Sequence, residues 1–196
     1  MRKMIRKISV VACGTILAAS IMTCSTVGYA TTHTTVSSPD SSPMPAAEPV
    51  QRFKMSDEVP FGPSLQMVLQ QLCWDNAVPY EIALAVIHQE SRFDPSVQNG
   101  NCIGYMQVND VNFEWLHREI GITDLHDPVQ NLMAGTYMLG ELFEKYGEWN
   151  MALTAYNFGE VGAREKFFKK GRISCPYSDS VIAQYKEWKK ILEVSK

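Results

Sequence analysis

The stretch Pro79 to Phe93 constrains this chain more than any other, because it reads as a helix whose apolar face is interrupted by a carboxylate. Pro79 suits a first helical turn, and Asp94-Pro95 stops the helix. At about 100° per residue, Ile82, Ala83, Val86, Ile87 and Phe93 fall on one arc. Glu90 sits in the middle of that arc, with Glu81, His88 and Arg92 on the opposite face. Any fold that buries the arc takes Glu90 in with it. A carboxyl among aliphatic side chains is poorly solvated, so it tends to keep its proton near neutral pH. That is the state a general acid needs. Spacing alone leaves a second reading open, a buried Glu held by a structural Arg or by backbone donors.

The other periodic segments are also helical. Ser64 reads as the N-cap of a helix presenting Leu65, Val68, Leu69 and Leu72. Ser96 to Cys102 is a polar loop with Asn99-Gly100 as its turn signal, and Tyr105 to Val108 reads as briefly extended. Asp110 to Glu119 reads as a short helix presenting Val111, Trp115 and Leu116. Asp127 caps a longer helix with Pro128 at its first position and Gly147 past its end. That helix is apolar on most sides and is expected to be the central one. Asn150 is expected to cap a helix carrying Tyr156 and Asn157, with Glu160 to Lys170 and Ser178 to Val194 completing the set. The expected fold class is mainly α.

The first thirty residues set the compartment. Arg2, Lys3, Arg6 and Lys7 precede a mostly apolar run from Ile8, and Gly28-Tyr29-Ala30 supplies small residues where a signal peptidase reads. Residues 1–30 are expected to be a cleaved secretory signal, with an uncleaved membrane anchor as the alternative. Val10-Val11-Ala12-Cys13 has too short an apolar stretch before it for lipidation, and Ile21-Met22-Thr23-Cys24 fits poorly. Every one of these readings takes the chain out of the cytoplasm. Residues 31–59 are expected to be a loose tether: twelve of the twenty residues from Thr31 to Val50 are Thr, Ser or Pro, too polar to offset ordering entropy. Residues 60–196 suit one domain with one core. Losing the leader removes four positive charges, taking the net charge from −3 to −7. That balance excludes nucleic acid as a partner and gives no electrostatic attraction to an anionic wall.

Four groups of residues carry a resemblance. Gln89-Glu90-Ser91-Arg92-Phe93-Asp94-Pro95 is followed by Gly104-Tyr105-Met106-Gln107-Val108, then by Asp127-Pro128 with Asn131, then by Ala155-Tyr156-Asn157-Phe158-Gly159. In order and spacing, over most of Leu65 to Val181, these resemble the soluble lytic transglycosylase family of lysozyme-like, peptidoglycan-cleaving enzymes. The family pattern runs E-S-x-F-x-P, then G-L-M-Q, then A-Y-N-x-G. The resemblance implies a lysozyme-like domain whose partner is the peptidoglycan glycan strand, with no cofactor and no metal. It implies cleavage between N-acetylmuramic acid and N-acetylglucosamine, Glu90 serving as acid and then base and leaving a 1,6-anhydro sugar. It further implies that Met106 and Gln107 line the groove. Tyr156 is expected to hold or polarise the carboxyl, and Asn157 to bind an acetamido group. Ser91 is expected to orient locally, and Tyr177, in a segment similar to the family's late Y-V-x-x-V, to reach the groove.

The chain departs from the pattern between Pro95 and Gly104, where the loop is one residue shorter and lacks the usual Gly-Ala pair; Tyr105 replaces the common Leu. Glycan or peptide preference is therefore open. Gly121-Ile122-Thr123-Asp124-Leu125 is similar to Gram-positive members of the family. Whether growth, division, sporulation, or a secretion or conjugation apparatus employs the chain is not legible.

Three cysteines follow the leader: Cys73, Cys102 and Cys175. One disulfide and one free thiol is an open arrangement. Cys102 lies on the cleft loop, but no His pairs with it, and a small buried hydrophobe is the stronger reading. His88-Gln89-Glu90 matches the H-x-E of zinc deaminases, yet Cys175-Pro176 supplies neither the order nor the second Cys of their P-C-x-x-C. The other histidines, His33, His117 and His126, lack metal-ligand spacing. Two rivals to the lyase stay in view. One is a muramidase-type hydrolase, which needs a second carboxylate such as Asp94 or Asp110. The other is a wall-binding module without catalysis.

Overall fold

The computed structural model describes residues 55–194 of the chain; the expected leader and most of the expected tether lie outside them. The helices are α1 (Pro63–Asp75), α2 (Tyr80–Ser91), α3 (Phe113–Ile120), α4 (Pro128–Tyr146), α5 (Trp149–Lys166) and α6 (Pro176–Val194). Between α2 and α3 lie three two-residue strands, β1 (Gln98–Asn99), β2 (Cys102–Ile103) and β3 (Val108–Asn109). They pair antiparallel in chain order, Gln98 opposite Ile103 and Cys102 opposite Asn109. The domain is mainly α with one short extended segment, as the sequence implies.

Helix ends follow local chemistry, with two corrections. Asp127 caps α4 by accepting the Gln130 N–H at 2.8 Å, Pro128 occupies the first turn, and Gly147 closes the helix at φ 67°. Ser64 is not a cap: α1 starts at Pro63 behind Gly62, with no side-chain cap bond. A proline in the first turn has no N–H to satisfy, so less is left for a cap to do. Asn150 is not a cap either. Trp149 already begins α5, and Glu148 accepts the Met151 N–H at 3.0 Å. The helix expected from Glu160 is the second arm of α5, set off by Gly159 at φ 66°, ψ 157°, a conformation open essentially only to glycine. Of Tyr105 to Val108, expected to be extended, only Val108 pairs in a strand; the preceding residues turn.

α2 is buried without interruption from Ile82 to Ile87, so it is wrapped rather than laid on a surface. α6 and α1 pack against it, while α4 packs against α1 and α5. α4 was expected to be the single central helix; α2 shares that place. The α2–α6 seam is polar at its edge. Gln89 Oε1 accepts from Ser180 Oγ at 2.8 Å and from Gln184 Nε2 at 2.7 Å, and His88 Nδ1 bonds Gln184 Oε1. Packing begins ahead of Pro60, with Val59 and Ser56 buried and Phe61 set edge-on against Phe93 and Tyr105. Among the described residues no helix is long and apolar enough to cross a membrane.

The sheet sits against α4 through Met106, which is fully buried and occupies the space a side chain at Gly135 would need. A Cβ there would lie 2.7 Å from Met106 Cβ, far inside contact distance. Gly135→Val is therefore expected to lower stability by about 1–3 kcal/mol, read as a fall in urea midpoint at constant slope. An unchanged midpoint would mean that the Met106 loop moves aside freely.

Candidate active site

A cleft of about 580 Å³ opens beside the small sheet and α5. Its lining includes Glu90, Asn99, Gln107, Asp110, Tyr156 and Asn157. Glu90 stands in the last turn of α2, half-buried, two residues before the cap Arg92 closes the helix in the left-handed region (φ 52°). Burial pushes its carboxyl up to about 7; the hydroxyl of Tyr177, donating to Oε1 at 2.6 Å, pulls the other way because it favours the ionised form. Tyr177 can reach it because it lies in the first turn of α6, the helix packed along α2. The result is a carboxyl that exchanges its proton near neutral pH at the wall of an open cleft.

The remaining sequence-selected residues divide between the cleft and its frame. Gln107 lines the cleft and also ties the sheet together. Its Nε2 donates to the carbonyls of Val97 (2.8 Å) and Gly104 (2.9 Å), and its Oε1 accepts from Asn99 (2.9 Å). These bonds hold its backbone at φ 47°, a strained position for a side chain of this kind. Asn157 is exposed on the cleft wall with its amide free to meet a ligand. Tyr156, expected to hold the carboxyl, donates instead to the Met106 carbonyl at 2.8 Å; the hydroxyl on Glu90 is that of Tyr177. Met106 does not present its side chain to the cleft, being buried under the sheet. Ser91 is buried as well, donating to the carbonyls of Tyr105 (2.8 Å) and Ile87 (3.2 Å), so it clamps the loop to α2.

Two contributors were not singled out as site residues. Asn131, fully buried on α4, accepts the Met106 N–H at 2.9 Å and donates to the carbonyls of Ile103 (2.7 Å) and Leu125 (3.0 Å). A buried Asn in an apolar helix was the available signal, since only backbone partners in a facing loop satisfy such a group. Trp115 also lines the cleft, and nothing in the α3 pattern separates a groove tryptophan from a core one. Cys102 faces the cleft too, its thiol pushed up first by burial and further by Glu90 and Asp110, which leaves it a poor nucleophile. Cys73, Cys102 and Cys175 are all free. Among the described residues no His, Cys, Asp and Glu cluster could hold a metal ion.

Residues 67–173 match the Transglycosylase SLT domain family. The chain belongs to that family. It is 30% identical over 111 residues to the membrane-bound lytic murein transglycosylase F of Desulfosudis oleivorans, covering 53% of this chain and 24% of that protein. It is 32% identical over 79 residues to the transglycosylase of Enterobacteria phage PRD1, covering 40% of this chain and 28% of that protein. Its fold is similar to that of the lytic transglycosylase Slt of Pseudomonas aeruginosa, solved as an inactive mutant, with a TM-score of 0.50 and 18% identity over 70% of this chain and 23% of the other. The match thus spans about a quarter of the length of each of these relatives.

The SLT domain's buried carboxyl has a measurable signature. An unfolded Glu ionises near 4.5 and Glu90 near 7, so the folded chain holds an extra proton between those values. Stability therefore falls as pH rises from about 4.5 to 7 and levels off above. Glu90→Gln stays neutral throughout and is expected to stabilise the domain by about 2 kcal/mol at pH 8, discounted for partial exposure, and by almost nothing at pH 4. Urea melts at the two pH values check this; equal gains would mean that Glu90 titrates as an ordinary carboxyl. Tyr177→Phe removes the donor that favours the ionised form, so the Glu90 carboxyl carbon resonance is expected to titrate above pH 7.

Proposed function

We propose that the chain is a peptidoglycan lytic transglycosylase that cleaves the bond between N-acetylmuramic acid and N-acetylglucosamine with Glu90 as its one acid-base group. The observation that carries this reading is the half-buried Glu90 carboxyl on the cleft wall, pushed up to about 7 by burial and steadied by Tyr177. Membership of the SLT family and the murein named for the Desulfosudis oleivorans relative support the substrate. Protonated Glu90 gives its proton to the glycosidic oxygen as the bond from the muramoyl anomeric carbon breaks. The muramoyl acetamido oxygen stabilises that carbon. Glu90, now ionised, takes the proton of the C6 hydroxyl as its oxygen bonds to the anomeric carbon and the acetamido group is released. Glu90 ends protonated, the product is 1,6-anhydro, and no water is consumed.

The other residues act around that exchange. Tyr177 orients the carboxyl and stabilises its charged half-cycle. Asn157 presents its amide to the substrate's acetamido group, while Gln107, its amide taken up by the sheet, holds the cleft wall in shape. Tyr156, Ser91 and Met106 fix the loop that forms one wall. The leader exports the chain, the Thr/Ser/Pro segment lets the domain reach the wall, and the site of action is extracytoplasmic. Shape and hydrogen bonds carry substrate capture at the cleft, since the net charge gives no attraction.

A hydrolase is the second reading, because Asp110 lines the same cleft and is exposed there. Asp94 is a poor candidate for its second carboxylate: it is fully exposed, outside the cleft lining, and bonded to Ser96. The products separate the readings. Digesting purified peptidoglycan and weighing the soluble fragments is expected to give anhydromuramoyl ends with the native chain and, for Glu90→Gln, a rate lower by about 10³. Reducing ends about eighteen mass units heavier, lost in Asp110→Asn, would establish the hydrolase. Product from neither protein, with binding retained, would leave a wall-binding module.

A further inference from the structure

The helical path of α5 breaks at Gly159, and the three residues at the break, Asn157, Phe158 and Gly159, all line the cleft. A continuous ladder of backbone bonds fixes the direction of a helix; across a break it does not. The direction of the second arm must therefore come from side chains. Glu160 is the first residue of that arm. It lies outside the cleft lining, with only 9% of its side chain exposed. A carboxylate so placed is costly unless partners meet it.

Those partners come from one place. Lys145 Nζ pairs with Glu160 Oε2, and the Tyr146 hydroxyl donates to the same oxygen at 3.1 Å. Lys145 and Tyr146 are the last two residues of α4, before Gly147 closes it. The apolar cluster beside this clamp is small and apart from the main core: Leu142 of α4 with Ala152 and Ala155 from the first arm of α5 and Ala163 from the second. Alanines offer little surface to hold one arm at one angle, whereas a charged, directional bond does so. On the other side of the break, Tyr156 is tied to the Met106 carbonyl at 2.8 Å. Asn157 to Gly159 thus hang between two anchored residues, Tyr156 and Glu160. Among the described residues no hydrogen bond aims the Asn157 amide, so the backbone between the anchors does.

We propose that Glu160 is a positioning residue for the cleft: clamped by Lys145 and Tyr146, it fixes the backbone from Asn157 to Gly159 and so aims the Asn157 amide at an N-acetyl group of the glycan strand. The inference rests on the peptidoglycan reading above and adds to it a residue that never touches the substrate. Glu90 and Tyr177 stand on α2 and α6, so the clamp governs binding and leaves the proton exchange to them.

The test uses the full chain with Glu90→Gln as the parent, so that no turnover is needed, and a fluorescently labelled peptidoglycan strand read by anisotropy. Adding Glu160→Gln keeps the shape and the bond from Tyr146 but loses the ion pair. It is expected to weaken binding about tenfold, or ~1.4 kcal/mol. Asn157→Ala is expected to weaken binding by the same factor, and the two together by no more, because both act through one amide. A chemically de-N-acetylated strand is expected to bind the parent and Glu160→Gln alike. Lys145→Arg keeps the pair and is expected to retain the parent's affinity, while Tyr146→Phe, a milder change, weakens it about threefold. Urea melts show that each variant is folded under the assay conditions. Full affinity in both Glu160→Gln and Tyr146→Phe would overturn the proposal, even with a lowered urea midpoint, since the clamp would then serve stability alone. A loss of about a hundredfold in the double variant would overturn it too, because Glu160 would then act apart from Asn157. A parent that binds no strand would sink the peptidoglycan reading along with it; a parent that binds, with indifferent clamp variants, would sink this assignment only.

Discussion

A single buried amide holds the cleft in place. Asn131 turns from α4 toward a loop that has almost no regular structure of its own, where it satisfies the Ile103 carbonyl and the Met106 N–H, and it also donates to the Leu125 carbonyl ahead of α4. Its side chain sits so close to Gly104 that a Cβ there would lie 2.7 Å away, and Gly104 takes φ 75°. Strands of two residues cannot hold themselves together. The three strands persist because Asn131, Ser91 and Gln107 substitute side-chain bonds for the missing ladder. Each of those side chains comes from a different part of the chain, so the cleft wall forms only when the helices have packed.

Glu90 depends on that packing in a second way. Its proton affinity is raised by surroundings that cost stability whenever it ionises, and Tyr177 limits the cost without removing it. Full burial with no donor would raise the proton affinity too far for exchange at neutral pH, and full exposure would leave an ordinary carboxylate. The observed balance requires α2 to end at the cleft and α6 to begin there. The α2–α6 seam, with Gln89 taking two donors from α6, fixes both.

Much of this was legible in the chain. The helix after Pro79 with a carboxyl in its apolar arc, the Asp127-Pro128 start and Gly147 stop of α4, and the break near Gly159 are local signals, and the structure shows each. The first is shorter than expected: α2 closes at Arg92, and Phe93, expected within it, lies outside with φ 65°. What was misplaced depends on contacts between distant segments. The caps are the exception: Ser64 and Asn150 have the right side chains, but α1 already starts at Pro63 and Glu148 caps α5. Tyr156 was expected at the carboxyl and Tyr177 only in the groove; Tyr177 holds Glu90 because α6 lies along α2. Met106 shares a motif with Gln107, yet adjacent residues of a turn face opposite ways, so one side chain reaches the cleft and the other the core.

The loop that departs from the family pattern sharpens the same point. It is a residue shorter than the family pattern and lacks its usual Gly-Ala pair, and here Gln107 and Tyr156 pin it through backbone atoms. Backbone carbonyls are indifferent to the side chains around them, so a loop pinned through carbonyls can change its sequence without losing its path. What changes is the surface it shows the ligand. Here that surface is rich in amides, with Asn99, Asn101, Asn109 and Asn112 all lining the cleft. Amides both donate and accept, which suits hydroxyl and acetamido groups better than charges.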